Sequence, residues 1–165
     1  MSKIRVALVG TGAFGIKHLD ALKNIADAEV TYLVSREADN VQAVAEKYGV
    51  ANYSTSFEEM LASDQVDAVI LCTPTQMHAE QTLQCLKAGK HVQVEIPLAD
   101  SWKDAEEVLE VQKETGLVAM VGHTRRYNPS HQWVKKRIDA GELNIQQMDV
   151  QTYFFRRKNI NALGQ

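Results

Sequence analysis

Apolar and polar positions along this chain alternate between short buried runs and amphipathic stretches. Ile4–Val9 is an apolar run bounded by glycine, which suits a buried strand. Ile16, Leu19, Leu22 and Ile25 then recur at helical spacing. Val30–Val34 reads as a second strand. Val41, Val44, Ala45 and Tyr48 fall on one helical face, and Gly49 closes that helix. A weak strand around Ala51–Tyr53 precedes a short helix opened by the capping pair Ser56 and Glu59. Val66–Cys72 is the strongest buried strand. Thr75 is a candidate cap for the next helix, whose inner face is Ala79, Leu83 and Leu86 and whose end is Gly89. His91–Glu95 is a fifth strand. Ser101 and Asp104 open a helix that is expected to bury Ala105, Val108 and Leu109 and to stop at Gly116. Leu117–Val121 is a sixth strand.

Strands separated by helices mean repeated βαβ crossovers, which are right-handed and build a parallel sheet covered on both faces. The predicted fold class is α/β, a doubly wound Rossmann sheet spanning residues 1–122. After that the pattern changes. Asn128 and Pro129 suit the N-cap and first position of a helix running to about Ala140, closed by Gly141. Gln147–Phe155 reads as one long strand with large side chains on both faces. A single strand cannot satisfy its own backbone groups. Residues 123–165 are therefore expected to be the incomplete start of a second, α+β domain, or to pair with another copy.

The 165 residues suffice for one domain with a real core and are short for two. Net charge is −3, which leaves no bulk basic surface for nucleic acid. The longest apolar runs are far too short to span a bilayer. The chain enters its first strand almost at once, so no signal peptide is expected. Cys72 and Cys85 make no disulfide framework and read as free thiols of a cytoplasmic protein. None of the histidines (His18, His78, His91, His123, His131) lies i, i+4 from another, so no metal site is expected.

The chemistry concentrates in the turn after the first strand, Gly10-Thr11-Gly12-Ala13-Phe14-Gly15. In the pattern Gly-x-Gly-x-x-Gly the first glycine permits the tight turn, the second lets the backbone approach a pyrophosphate, and the third lets helix and strand pack closely. The helix N-terminus adds N–H groups and a partial positive charge. A dinucleotide is the expected ligand. NAD binders usually end the second strand with an acid that bonds the ribose 2′-hydroxyl. Here the strand ends in Val34-Ser35-Arg36. Ser35 can donate a hydrogen bond and Arg36 a charged fork to a 2′-phosphate. Such bonds contribute roughly 1.5–3 kcal/mol each, so NADP is expected over NAD. The competing reading makes Arg36 a solvated residue opening the next helix, and Glu37 beside it weighs against the phosphate. The missing carboxylate also argues against S-adenosylmethionine.

Ligands of open α/β sheets bind outside the carboxyl ends of the strands. Thr73 and Pro74 stand there and are expected to line the nicotinamide ribose. His78 is either a cofactor neighbour or a surface or capping residue. His123, Arg125, Arg126 and Tyr127 follow the last strand. The two arginines are either interdomain ion-pair residues or the binding site for an acidic substrate, a reading that Arg156 and Arg157 strengthen if the two ends meet.

The stretches GTGAFG, CTPTQMHAE, GKHVQVEIP and GHTRRYNP, in this order, resemble the glucose–fructose oxidoreductase/inositol dehydrogenase family over the whole chain. The resemblance implies a nicotinamide-dependent dehydrogenase, with Glu95 near the nicotinamide ribose and a homodimer formed through the open sheet of a second domain. The run YFFRRKNINALGQ resembles, more narrowly, members that use NADP to oxidise the cyclic hemiacetal of a carboxylated semialdehyde. That small carboxylated substrate agrees with Arg125 and Arg126. The family has Glu-Lys-Pro where this chain has Glu95-Ile96-Pro97, and its lysine assists proton transfer. Isoleucine has no proton to give or take. His123 and Tyr127 are the candidate bases inside this chain, while the family's catalytic Asp/His pair falls beyond residue 165. A fragment with poor turnover of its own is the expectation.

Overall fold

The computed structural model describes residues 3–151. The chain divides into two compact units, Met1–His123 and Thr124–Gln165. In the first, β1 (Ile4–Val9), α1 (Ala13–Leu22), β2 (Ala28–Val34), α2 (Ala38–Tyr48), β3 (Asn52–Ser54), α3 (Phe57–Ala62), β4 (Ala68–Leu71), α4 (His78–Lys87), β5 (His91–Val94), α5 (Trp102–Thr115) and β6 (Ala119–Val121) follow one another. All strand pairs are parallel, in the order β3-β2-β1-β4-β5-β6. The chain runs outward from β1 to β3, then crosses back to β4 on the other side of β1. The order in which strands are added therefore reverses between β1 and β4, and at such a point the loops diverge and leave a crevice.

Alternation along each strand feeds two cores. Val6, Leu8, Leu33 and Ile70 pack with Leu19 of α1 and with Val41, Val44 and Ala45 of α2. Ala7, Val9, Val34, Val69 and Leu71 pack on the opposite face with Phe57, Met60, Leu86, Val108 and Val111. A parallel sheet buried on both sides needs apolar residues at consecutive positions, which is why its strands read as unbroken runs.

Local signals set several boundaries as expected. Ser56 Oγ accepts from the Glu59 amide at 3.1 Å, and Ser101 Oγ from the Asp104 amide at 3.1 Å. Gly49 and Gly116 close α2 and α5 in the left-handed conformation.

Other expectations are corrected. The first helix stops at Leu22, and Ile25 lies beyond it, 49% exposed, in the turn that leads to β2. Leu109 is 51% exposed, and Val111 joins Val108 in the core, because α5 presents that face to the sheet. Thr75 caps no α-helix: Thr75–Met77 is a 3-10 turn after Pro74, and α4 opens at His78 without a side-chain cap.

In the second unit, Thr124–Tyr127 forms a 3-10 turn and α6 spans Pro129–Asp139. Asn128 Oδ1 accepts from the Ser130 amide at 3.0 Å, as an N-cap should. Of the strand expected over 147–155, residues 147–151 are described, and they form no strand. Its remainder, with Arg156 and Arg157, lies outside the described residues. Among the described residues no helix is long and apolar enough to cross a membrane.

Candidate functional site

The β1–α1 turn is shaped by two close approaches. Gly10 has φ +98°, and a Cβ there would stand 2.5 Å from the carbonyl oxygen of Cys72 at the end of β4. A Cβ on Gly15 would stand 1.9 Å from the carbonyl oxygen of Gly10. These two glycines are dictated by the protein's own packing. Gly12 differs: its φ is −75° and a Cβ there would meet nothing within 4 Å. No strain, and no neighbour among the described residues, calls for glycine at this position. It faces open space at the N-terminus of α1, where no side chain caps the helix and no acid stands in the first turn. An uncapped helix end beside a bare backbone is a seat for an anion.

That space belongs to a cleft of about 390 Å³ at the point where the strand order reverses. The Gly10–Gly12 turn forms one wall, Ser35, Arg36 and Glu37 another, and Cys72, Thr73 and Pro74 a third. Arg36 is exposed and takes part in none of the ion pairs among the described residues. Ala13 and Phe14 are exposed at the start of α1, with Lys17 Nζ 5.2 Å from the Phe14 ring centre.

Three residues that sequence reasoning missed hold these walls in place. Thr11, buried, donates from its hydroxyl to Asn40 Oδ1, which ties the glycine turn to α2. Thr73 Oγ1 donates to Gln81 Oε1 at 2.6 Å, and Gln81 is itself buried in α4. Glu95 Oε1 meets His18 Nε2 at 2.7 Å, which links the end of β5 to α1. Asn40 and Gln81 are ordinary helix residues in the sequence, with no local pattern to betray them. His18 follows Gly15 on α1, but its partner is far off in sequence.

His78 is neither a surface nor a capping residue. It is 2% exposed, with Nδ1 2.7 Å from the Pro97 carbonyl oxygen and Nε2 2.8 Å from that of Thr73. Each ring nitrogen faces a carbonyl oxygen of the chain itself, and a neutral imidazole, with one N–H, donates to one of the two. The residue instead struts the loops after β4 and β5.

Cys72 and Cys85 are free thiols. Burial pushes each up to about 12, with the charge of Glu95 adding to the effect at Cys72. Both stay protonated and poorly nucleophilic near neutrality. Ile96 is half exposed and adds no proton-transfer group to the loop after β5.

His123 is exposed at the end of the first unit. Arg125, Arg126 and Tyr127 are exposed in the second, where Arg125 and Arg126 join His131, Lys135 and Lys136 around an open basin of about 670 Å³. Cations so grouped suit an anionic ligand.

The family described as "Oxidoreductase family, NAD-binding Rossmann fold" matches residues 4–123, and "Bacterial oxidoreductases, C-terminal" matches 129–165. The chain belongs to the Gfo/Idh/MocA oxidoreductase family. It is 65% identical over 162 residues to 4-carboxy-2-hydroxymuconate-6-semialdehyde dehydrogenase of Sphingobium sp. (strain NBRC 103272 / SYK-6), a match covering 98% of this chain and 51% of that enzyme. It is 32% identical to the NAD(+)-dependent scyllo-inositol 2-dehydrogenase of Bacillus subtilis (strain 168), over 86% of this chain and 42% of that one. The chain thus spans about half the length of the curated relatives it matches.

Among solved structures, scyllo-inositol dehydrogenase from Lactobacillus casei with bound NAD(H) and scyllo-inositol superposes with a TM-score of 0.82 at 26% identity, over 86% of this chain and 42% of that one. KijD10, a 3-ketoreductase from Actinomadura kijaniata in complex with TDP-benzene and NADP, superposes with a TM-score of 0.78 at 33% identity, over 85% and 44%. Neighbours of this fold therefore hold either nicotinamide dinucleotide.

Proposed function

We propose that this chain is the dinucleotide-binding part of an NADP-dependent dehydrogenase. Its reaction is oxidation of the cyclic hemiacetal of 4-carboxy-2-hydroxymuconate-6-semialdehyde to 2-pyrone-4,6-dicarboxylate, in the breakdown of aromatic compounds. One observation carries the nucleotide reading: Gly12 has no structural reason among the described residues to be glycine, and it stands on the cleft that Arg36 also lines. The substrate reading rests on the 65% identity to an enzyme of that name.

The residues present fit the cofactor. Backbone amides from Gly10 to Gly15, with Thr11, Ala13 and Phe14 between the glycines, would hold the pyrophosphate. Ser35 and Arg36 would hold the 2′-phosphate. Thr73, Pro74 and Glu95 would border the nicotinamide ribose. The nicotinamide, when bound, supplies the hydride acceptor. The protein's share is to orient the hemiacetal carbon and to exclude water, and orientation provides much of the rate enhancement in such a transfer. Arg125 and Arg126 bind the substrate carboxylates. His123 and Tyr127 are the proton acceptors this chain can offer. A ring hemiacetal hydroxyl is more acidic than a sugar alcohol, which relaxes the need for the lysine that Ile96 replaces. The working enzyme is a cytoplasmic homodimer assembled through its second domain.

A sugar or polyol dehydrogenase is the competing reading, supported by the inositol enzyme of Bacillus subtilis and opposed by Ile96. A nucleotide-binding module without turnover is a third. The deciding experiment is calorimetric titration with NADP and NAD, followed by assay of NADPH formation with the hemiacetal and with a panel of polyols. Tight NADP binding with slow turnover of the hemiacetal alone supports the proposal. Polyol turnover or binding without any turnover selects one of the others, and absence of binding refutes all three.

A further inference from the structure

Beside the cleft, three side chains from three separate elements converge. His18 of α1, Cys72 after β4 and Glu95 after β5 bring a ring nitrogen, a thiol sulfur and a carboxylate oxygen within 4.8 Å of one another. No local spacing announces this trio, since its members are far apart in sequence and meet only when β4 and β5 pair and α1 packs over β1.

The scaffold beneath the trio is rigid. The Cys72 amide donates to the Val9 carbonyl at 2.8 Å, and the Glu95 amide to the Leu71 carbonyl at 3.0 Å. The first turns of α1 are locked by the close approach of Gly15 to Gly10. Sites built on such elements hold their ligands more exactly than sites on loops. The His18 and Glu95 side chains keep 21% and 15% of their surface, which leaves a way in for a small ion.

Imidazole, thiolate and carboxylate together form a borderline donor set. Hard oxygen-seeking ions have no use for the sulfur, whereas zinc takes all three donor types at about 2.0–2.3 Å. Around a tetrahedral centre with such bonds the donor atoms stand about 3.3–3.8 Å apart. His18 Nε2 and Glu95 Oε1, now 2.7 Å apart, would spread by less than about 1 Å, within reach of side-chain rotation.

We propose that His18, Cys72 and Glu95 form a binding site for a borderline divalent metal ion such as Zn²⁺, with a fourth position open to water. On binding, the Cys72 S–H bond is replaced by a sulfur–metal bond and the proton leaves to solvent. No electron is transferred. Cys72 also lines the cleft, so the ion would stand at the border of the proposed dinucleotide site.

The test uses the chain without nucleotide, so it is independent of the proposed function. Co²⁺ is the probe, titrated in a reductant that does not chelate metals. The expected result is a thiolate-to-cobalt charge-transfer band with the visible bands of a four-coordinate ion, saturating at one equivalent and displaced by Zn²⁺. Cys72→Ala removes the charge-transfer band and Cys85→Ala leaves it. His18→Gln, which keeps a polar side chain on α1, weakens the apparent affinity by roughly tenfold or more. A rise in the melting temperature of the unmutated chain with Zn²⁺, lost in His18→Gln, gives the same answer without relying on the cysteine variants. No charge-transfer band, a band that survives Cys72→Ala, or affinity unchanged in His18→Gln overturns the proposal.

Discussion

The Gly10 carbonyl oxygen stands 1.9 Å from where a side-chain carbon of Gly15 would begin, whereas nothing stands within 4 Å of the same position on Gly12. Two glycines of one motif thus answer to different constraints. Gly15→Ala should cost about 3 kcal/mol or more, or prevent folding, because backbone must move. Gly12→Ala should leave stability within about 0.5 kcal/mol of the parent while weakening dinucleotide binding by roughly tenfold or more, about 1.4 kcal/mol. Chemical denaturation beside nucleotide titration separates the two, and equal effects on both quantities in both variants would defeat the distinction.

Arg36→Ala should weaken NADP by roughly tenfold or more and leave NAD nearly unchanged, a loss of about 1.5–3 kcal/mol in one titration alone. Equal weakening of both nucleotides would remove the basis for the NADP preference.

His78 joins the Thr73 and Pro97 carbonyls from a fully enclosed position. His78→Leu keeps the bulk and abandons both acceptors, so it should destabilise the chain by about 2–3 kcal/mol. Urea melts would show this as a lowered midpoint at constant slope. A midpoint equal to the parent's would mean that the strut carries no weight.

Thr82 is fully buried in α4, and its hydroxyl meets no hydrogen-bond partner among the described residues. Thr82→Val replaces that hydroxyl with a methyl group of similar size. It should be neutral or stabilising, by up to about 1 kcal/mol. A clear loss in thermal melts would show that the hydroxyl has a partner in solution.

Arg5 and Asp67 pair at the amino ends of β1 and β4, with Arg5 Nε 3.0 Å from one carboxylate oxygen and the guanidinium 2.6 Å from the other. The side-chain bonds from Arg5, then its backbone amide, lower the Asp67 carboxyl from 3.8 to about 2. A carboxyl lowered on folding stabilises the protein above its unfolded value, and that stability is lost as pH falls towards the folded one. The pair keeps more than a third of its surface in water, which limits it to about 1 kcal/mol. Asp67→Asn should lose that amount near neutrality and flatten the stability profile between about pH 4 and pH 2. An unchanged acid limb would refute the assignment.

Much of the architecture was legible from the amino acids alone. Unbroken apolar runs such as Ile4–Val9 announced strands buried on both faces. Ser56, Ser101 and Asn128 announced helix starts, because capping involves residues only two or three positions apart. The Gly10–Gly15 turn announced its ligand class for the same reason, since one turn carries the whole device. Where the signal depended on which face met the sheet, it failed, as at Leu109 and Val111. Large side chains on both faces did not make a strand of 147–151 either.

Tertiary structure alone decided the rest. It turned His78 from a candidate ligand neighbour into a strut, gave Thr11 and Thr73 their partners Asn40 and Gln81, and gathered His18, Cys72 and Glu95. The physical reason is range. Periodicity, capping and glycine turns are interactions of residues close in sequence, and the chain displays them before it folds. A side chain's partner across the sheet depends on strand order and register, which arise only when the whole sheet has formed.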